Sequence, residues 1–278
     1  MDIFVIVLLI TLASLLAIFF LVGAIYLVLV APGGGRNIAD FKGTKFAHRG
    51  LHDGTRVENS LSAFRAAIDA GFGIELDVRL SSDGILVVHH DDELGRVVHG
   101  EGRVDSYTAR ELSEMRLGDS EDTVPTFREV LDLVDGRVPL LVEIKEDAGH
   151  REVSDATVKM LSEYKGPYIV ESFNPISVAN ARRGLPGVAC GFLSTDFRRD
   201  PKHRGLLYTL LGGLYTNRLC NPDFIAYDGR YPRRLCLRVA RMLGAVTLAW
   251  TVRSEEEEKK LLSLGFDSVI FEGYIPEK

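Results

Sequence analysis

Nine short β-rich runs alternate with helical stretches between residues 44 and 271, and one interval between them is only four residues long. The runs lie near 44–47, 73–79, 85–89, 139–145, 168–172, 188–193, 223–227, 246–251 and 267–271. Helical patterning falls near 60–71, 108–116, 126–135, 151–164, 175–183, 232–243 and 254–263. Such alternation predicts a parallel sheet covered by helices. A parallel crossover needs roughly a dozen residues or more. Ser81-Ser82-Asp83-Gly84, the whole interval between the second and third runs, must therefore be a hairpin turn. Setting that returning strand aside leaves eight parallel strands, the number that closes a (β/α)8 TIM barrel. With the turn centred between Ser82 and Asp83, Glu75 falls opposite His90 and Asp77 opposite Val88. Capping-box spacing opens three of the helices, at Thr108/Glu111, Thr126/Glu129 and Ser254/Glu257. The acidic run Glu255–Glu258 reads as a helix first turn favoured by the macrodipole, with no metal role.

Residues 3–30 carry no charge and are almost wholly apolar, long enough to cross a bilayer with some tilt. A cleaved signal peptide needs a basic start and a short apolar core. This chain begins Met-Asp and its apolar run is longer, which favours a retained anchor. Only Asp2 precedes the span, whereas Arg36, Lys42, Lys45 and Arg49 follow it. The positive-inside rule then predicts a single-pass protein of the cell membrane with residues 31–278 in the cytoplasm. The expected organisation is a transmembrane helix over 1–31, a linker over 32–43 opened by Pro32-Gly33-Gly34-Gly35, and a barrel domain over 44–278. A richly charged insertion occupies about 92–125. The net charge is −6 with scattered basic residues, which excludes a nucleic-acid footprint. Cys190, Cys220 and Cys236 are odd in number and lack metal-type spacing, as suits a reducing compartment.

Barrel sites collect at the C-terminal ends of the strands. There the sequence sets His48-Arg49 on the first strand and Glu75 with Asp77 on the second. Glu143 with Lys145 follows on the third parallel strand, and Glu171-Ser172-Phe173-Asn174 on the fourth. Residues two apart on a strand share a face, so Glu75 and Asp77 converge, as do Glu143 and Lys145. Three carboxylates make an oxygen-rich site for one divalent cation, Mg²⁺ or Ca²⁺. Arg49 and Lys145 add fixed positive charge suited to a phosphate. The hairpin returns His89-His90-Asp91 beside the carboxylates, and two histidines can supply an acid and a base. The pattern outlines a metal-assisted hydrolase.

From about Phe46 onward the chain resembles the glycerophosphodiester phosphodiesterase family. The family's His-Arg-Gly is matched by His48-Arg49-Gly50, and its Pro-Glu-Asn-Thr by Val57-Glu58-Asn59-Ser60. Glu-x-Asp appears as Glu75 and Asp77, His-Asp as His90-Asp91, and Glu-x-Lys as Glu143 and Lys145. Ser172-Phe173-Asn174 and Trp250-Thr251-Val252 resemble two further motifs. The resemblance implies a TIM barrel that hydrolyses a phosphodiester to glycerol 3-phosphate and an alcohol. It implies His48 and His90 as general acid and base, and Glu75, Asp77 and Glu143 as metal ligands. Arg49 and Lys145 are then phosphate-binding, and Phe173 and Trp250 substrate contacts. It also implies attack by the substrate's own glycerol hydroxyl, through a cyclic phosphate. Of the adjacent histidines, His90 matches the motif because it directly precedes Asp91.

Other residues read more plainly. His52, His99, His150 and His203 are expected to have no catalytic part. Glu171 reads as packed or salt-bridged rather than as a fourth ligand, and Glu272, where the family usually has Thr-Asp, receives no site role. Phe173 and Trp250 stand between barrel-top packing and substrate contact, and Lys145 between phosphate binding and an ion pair with Glu143 or Asp77. The apolar stretch 205–219 begins on the site's face. An ordinary barrel helix is the favoured reading for it; the alternative is a segment that dips into the bilayer to admit lipid substrates. Two substrate readings follow: water-soluble glycerophosphodiesters such as glycerophosphocholine, or lysophospholipids of the membrane. A catalytically inactive, membrane-bound binding module is the third reading, and the intact His48, His90, Glu75, Asp77 and Glu143 set argues against it.

Overall fold

A computed structural model of the chain describes residues 2–147, 149–199 and 204–277; His203 lies outside them. Helix α1 spans Ile3–Val30, and strand β1 spans Lys45–Ala47. Then come α2 (Leu61–Ala70), β2 (Gly73–Leu80) and β3 (Leu86–Val88). A short α3 (Ala109–Ser113) and α4 (Phe127–Val134) lead to β4 (Leu140–Ile144). α5 (Glu152–Leu161), β5 (Tyr168–Ser172), α6 (Pro175–Gly184) and β6 (Cys190–Ser194) continue the alternation. Two short helices, α7 (Leu206–Gly212) and α8 (Asn217–Cys220), precede β7 (Phe224–Asp228). The chain ends with α9 (Leu235–Met242), β8 (Val246–Val252), α10 (Glu255–Ser263) and β9 (Ser268–Phe271).

The strand order is β1-β9-β8-β7-β6-β5-β4-β2-β3, and β1 also pairs with β2. Eight parallel strands therefore close on themselves, and β3 hangs antiparallel from the far end of β2. This is the TIM-type barrel that the alternation predicts. The apolar stretch 205–219 is not one barrel helix. It breaks between α7 and α8, where Leu214 takes a φ of 61°.

The hairpin register departs from expectation by one residue. Val78 pairs with Val88, Arg79 with Val87 and Leu80 with Leu86. His89 N–H then donates to Asp77 O at 3.0 Å, so His89 rather than Val88 faces Asp77. The cause lies in the turn. Ser81 Oγ accepts from Ile85 N–H and donates to Asp83 and to Ile85 O, which draws Ile85 into the loop.

Alternation along each strand sorts the barrel interior into layers. Phe46, Leu141, Ile169, Phe224, Leu248 and Ile270 pack one apolar cluster, closed by Ile38 and Phe41. Glycine makes room for its rings: a Cβ on Gly73 would lie 2.7 Å from the Phe46 ring, and one on Gly191 2.2 Å from that of Phe224. Two residues further along the same rows stand His48, Glu75, Glu143, Glu171, Trp250 and Glu272. A second cluster, including Ile74, Leu76, Val142 and Val170, faces the surrounding helices. The apolar end thus carries the packing, and the polar end is available for chemistry. The predicted caps form at Thr108 and Thr126 as reciprocal boxes. At the third, Ser254 accepts from Glu257 N–H, but the Glu257 carboxylate turns to Arg253 N–H instead.

Candidate active site

The His-Arg-Gly segment turns sharply out of β1. Arg49 and Gly50 both take positive φ, 58° and 82°. At Gly50 a Cβ would come within 2.9 Å of Ala63 and Phe64 on α2, so the turn needs glycine for its fold-back and its close approach. This turn aims Arg49 N–H at Glu75 Oε2 (2.8 Å) and swings the guanidinium over Asp77, with Nε 3.4 Å from Oδ2. Asn59, also left-handed at φ 57°, donates to the same Asp77 oxygen at 2.9 Å.

Glu75, Asp77 and Glu143 converge. One oxygen from each lies within 4.8 Å of the others, and all three residues are buried. The in-register pairing of Asp77 with Glu143, and of Glu143 with Glu171, puts the carboxylates of three neighbouring strands on one face. Lys145 Nζ reaches Glu143 Oε1 at 2.7 Å and Asp77 Oδ1 at 3.1 Å. Four buried carboxylates face two half-buried cations, Arg49 and Lys145. Burial and the charges of Asp77 and Glu143 push Glu75 well above the usual carboxylate range. Burial, opposed by Lys145, lifts Glu143 to about 7. Against the same burial, Lys145 and Arg49 hold Asp77 well below that range. The excess of two negative charges and the all-oxygen donor set fit one hard divalent cation.

The two histidines are oriented alike. His48 Nδ1 lies 2.6 Å from Glu272 Oε2, and His90 Nδ1 lies 2.8 Å from Asp91 Oδ1. With Nδ1 donating to a carboxylate, each ring offers Nε2 to whatever enters the cleft. Burial lowers both imidazoles, His90 to about 4 with further help from Lys145; the Glu272 bond opposes the shift at His48. Asp91 is itself fixed by Arg96, which also chelates Glu58, and Glu58 in turn binds Arg49. Arg96 comes from the segment between β3 and α4, whose own small core includes Leu94, Val98, Leu112 and Leu117.

The cleft of about 230 Å³ is lined by both histidines, Arg49, Glu75, Glu143, Lys145, Glu171, Phe173 and Trp250. Phe173 and Trp250 meet edge to face at 5.5 Å, and the Lys145 ammonium lies 5.9 Å from the Phe173 centroid. Every site residue expected from the sequence is therefore in or directly beneath one cleft. One expectation needs correction. Glu272 does have a place at the site, as the carboxylate partner of His48. Glu171 is packed and buried as expected, but it makes no salt bridge among the described residues and faces the cleft.

Residues 48–273 match the glycerophosphoryl diester phosphodiesterase family. The chain belongs to that family. A glycerophosphodiester phosphodiesterase of Caldanaerobacter subterraneus is 30% identical over 239 residues, which cover 81% of this chain and 91% of the relative. One of Bacillus altitudinis is also 30% identical over 239 residues, with 81% and 92% covered. The crystal structure of the Thermotoga maritima glycerophosphodiester phosphodiesterase superposes with a TM-score of 0.63 at 28% identity, covering 82% of this chain and 94% of that one. An Oleispira antarctica phosphodiesterase in complex with the product sn-glycerol-3-phosphate shares the fold, with a TM-score of 0.72 at 24% identity over 84% and 94% of the two chains. As a glycerophosphoryl diester phosphodiesterase, the chain is a hydrolase on a TIM-type barrel with one added strand and a long apolar N-terminal helix.

On the acid–base role expected of His48, Glu272 would be a positioning residue that acts through it. Replacing it with glutamine is expected to lower kcat/KM about tenfold to a hundredfold, part of what an acid–base group contributes. Since Glu272 supports the protonated ring, its loss drops the His48 pKa further. The limb of the pH–rate profile that His48 governs then moves to lower pH, which a merely structural role would not do. An unchanged profile would remove Glu272 from the site.

Proposed function

We propose that this chain hydrolyses glycerophosphodiesters to glycerol 3-phosphate and an alcohol, with one Mg²⁺ or Ca²⁺ held by Glu75, Asp77 and Glu143. The observation that carries the reading is a buried carboxylate cluster set between two carboxylate-oriented histidines, with two cations beside it. Arg49 and Lys145 bind the phosphoryl oxygens and orient the diester. The bound cation supplies Lewis-acid polarisation and neutralises developing charge. In the first step one histidine Nε2 accepts the proton of the glycerol hydroxyl as its oxygen bonds to phosphorus, and the other protonates the leaving alkoxide; in the second, water opens the resulting cyclic phosphate to glycerol 3-phosphate. Both rings begin with the same Nδ1–carboxylate bond, so the roles can exchange between steps. Phe173 and Trp250 form an apolar wall against which the glycerol or alcohol carbons rest.

Helix α1 is long and apolar enough to cross a membrane, a test that a signal sequence also passes. We read it as an anchor because its junction is built into the barrel, and place the barrel in the cytoplasm because Arg36, Lys42, Lys45 and Arg49 follow the span. Val30 is fully buried, and its carbonyl accepts from Asn217 Nδ2 at 2.8 Å. Gly33 N–H bonds Pro222 O, and Arg36 N–H bonds Asp223.

The test is release of glycerol 3-phosphate from a panel of soluble diesters, glycerophosphocholine among them, with and without chelator. Release that chelator abolishes and added Mg²⁺ or Ca²⁺ restores is expected. Full activity in chelator rejects the metal role, and no release from any diester rejects the reaction.

A further inference from the structure

The direction in which α1 leaves the barrel has a bearing on where substrate comes from. From Tyr26 onward the chain runs alongside the segment that descends to β7. Tyr26 meets Tyr215 edge to face at 5.6 Å, Val30 meets Asn217, Gly33 meets Pro222, and Arg36 meets Asp223. Asp223 immediately precedes β7, so this path heads toward the N-terminal rim. Followed backward, α1 must rise past Gly212, whose carbonyl is bound by Tyr227 and Arg234 at the C-terminal rim. Upstream of Tyr26 about 35 Å of helix remains at 1.5 Å per residue, enough for the hydrocarbon layer. Those residues are exposed throughout, and the path set by the Tyr26 and Val30 contacts carries them out from the rim that holds the cleft.

That rim suits a lipid surface in two further respects. Leu206 and Leu207, which open α7, are 75% and 56% exposed. The loops after β6, β7 and β8 present Arg198, Arg199, Arg204, Arg230, Arg233 and Arg253, all exposed. Asp196 and Asp228 beside the first two loops are buried and bound by arginine, while after β8 the exposed Glu255 and Glu256 follow Arg253 on α10. Tyr26 and Tyr215 stand at the level where aromatic side chains favour the headgroup layer.

We propose that the β6–β8 side of the barrel's C-terminal rim rests on the anionic surface of the bilayer that α1 crosses, with Leu206 and Leu207 in the headgroup layer. The cleft then opens toward the membrane and takes phosphodiesters presented by it. The substrate half of this statement rests on the hydrolytic reading above; the docking half stands without it.

The experiment uses the full chain in nanodiscs with and without anionic lipid. The three native cysteines are buried, so Leu207→Cys and, on the opposite rim, Lys165→Cys can each be labelled with an environment-sensitive dye. Quenching by headgroup-proximal spin-labelled lipid is expected at position 207, stronger with anionic lipid, and absent at 165. Quenching at 165, or at neither position, overturns the docking. In a second arm, the double variant Leu206→Asp with Leu207→Asp is expected to lower turnover of lysophosphatidylcholine in the nanodisc about tenfold. Turnover of soluble glycerophosphocholine should stay unchanged; equal loss on both overturns membrane presentation. If wild type hydrolyses neither diester, the reaction assignment fails and the quenching still decides the docking.

Discussion

Replacing His90 with alanine is expected to lower kcat on a soluble glycerophosphodiester about a thousandfold, roughly 4 kcal/mol of transition-state stabilisation. Its Nδ1 meets Asp91, its backbone carbonyl accepts from Arg79 Nε and Nη2 at 3.0 and 2.8 Å, and burial, with the charge of Lys145 nearby, pulls its pKa down to about 4. A ring so depressed is neutral at physiological pH in the free enzyme and is ready to accept a proton at Nε2. The bound metal, KM and melting temperature should change little, because His90 ligates nothing in the carboxylate cluster. Its neighbour separates the two candidates. His89 is buried with Nδ1 on Asp91 O, and His89→Gln is expected to cost far less in kcat. A thousandfold loss at His89 with little loss at His90 would reverse the assignment.

Removal of the divalent cation is expected to abolish turnover, and Glu75→Gln to weaken metal binding at least about a hundredfold. The same substitution should raise the melting temperature of the metal-free protein at neutral pH. Glu75 has a folded-state pKa well above its ordinary value, so its burial is tolerated below that ordinary value and becomes destabilising as pH rises toward the folded one. Glutamine keeps the shape, accepts from Arg49 N–H, and carries no charge. The pH dependence of metal binding has a definite sign. Glu75, and Glu143 near about 7, must both shed protons to ligate, so affinity falls as pH drops below neutral. Thermal unfolding of wild type and Glu75→Gln, with and without Mg²⁺ or Ca²⁺ at about pH 5.5 and about pH 8, checks both statements. A metal-induced rise in wild type no greater at the higher pH would contradict this account.

Much of this site was legible in the sequence because strand alternation does the sorting. Residues 75, 77, 143 and 145 fall inward by counting twos, and an eight-strand closure gathers them. The hairpin register was not legible, since Ser81 draws Ile85 into the turn through hydrogen bonds to its own side chain. Glu272 could have been found by the same counting. Closure pairs Ala47 with Phe271, so the residues that follow them, His48 and Glu272, must leave the rim side by side. The packed place of Glu171 was legible as well, and its in-register pairing with Glu143 follows from parallel neighbours. The course of α1 had no sequence signal, because the contacts that set it, Tyr26 to Tyr215 and Val30 to Asn217, join segments far apart in the chain.

Arg96 gives the segment between β3 and α4 a duty beyond shaping the mouth of the cleft. Through Asp91 it steadies His90, and through Glu58 it steadies the arginine that sits over the metal ligands. His90 and Arg49, proposed above as an acid–base group and a phosphate anchor, are thus cross-braced by one guanidinium on a peripheral excursion of the chain. Such segments are usually the parts of a barrel enzyme exchanged most freely to change specificity. Here a transplanted loop lacking an arginine at this position would bring a new substrate preference together with a slackened catalytic centre.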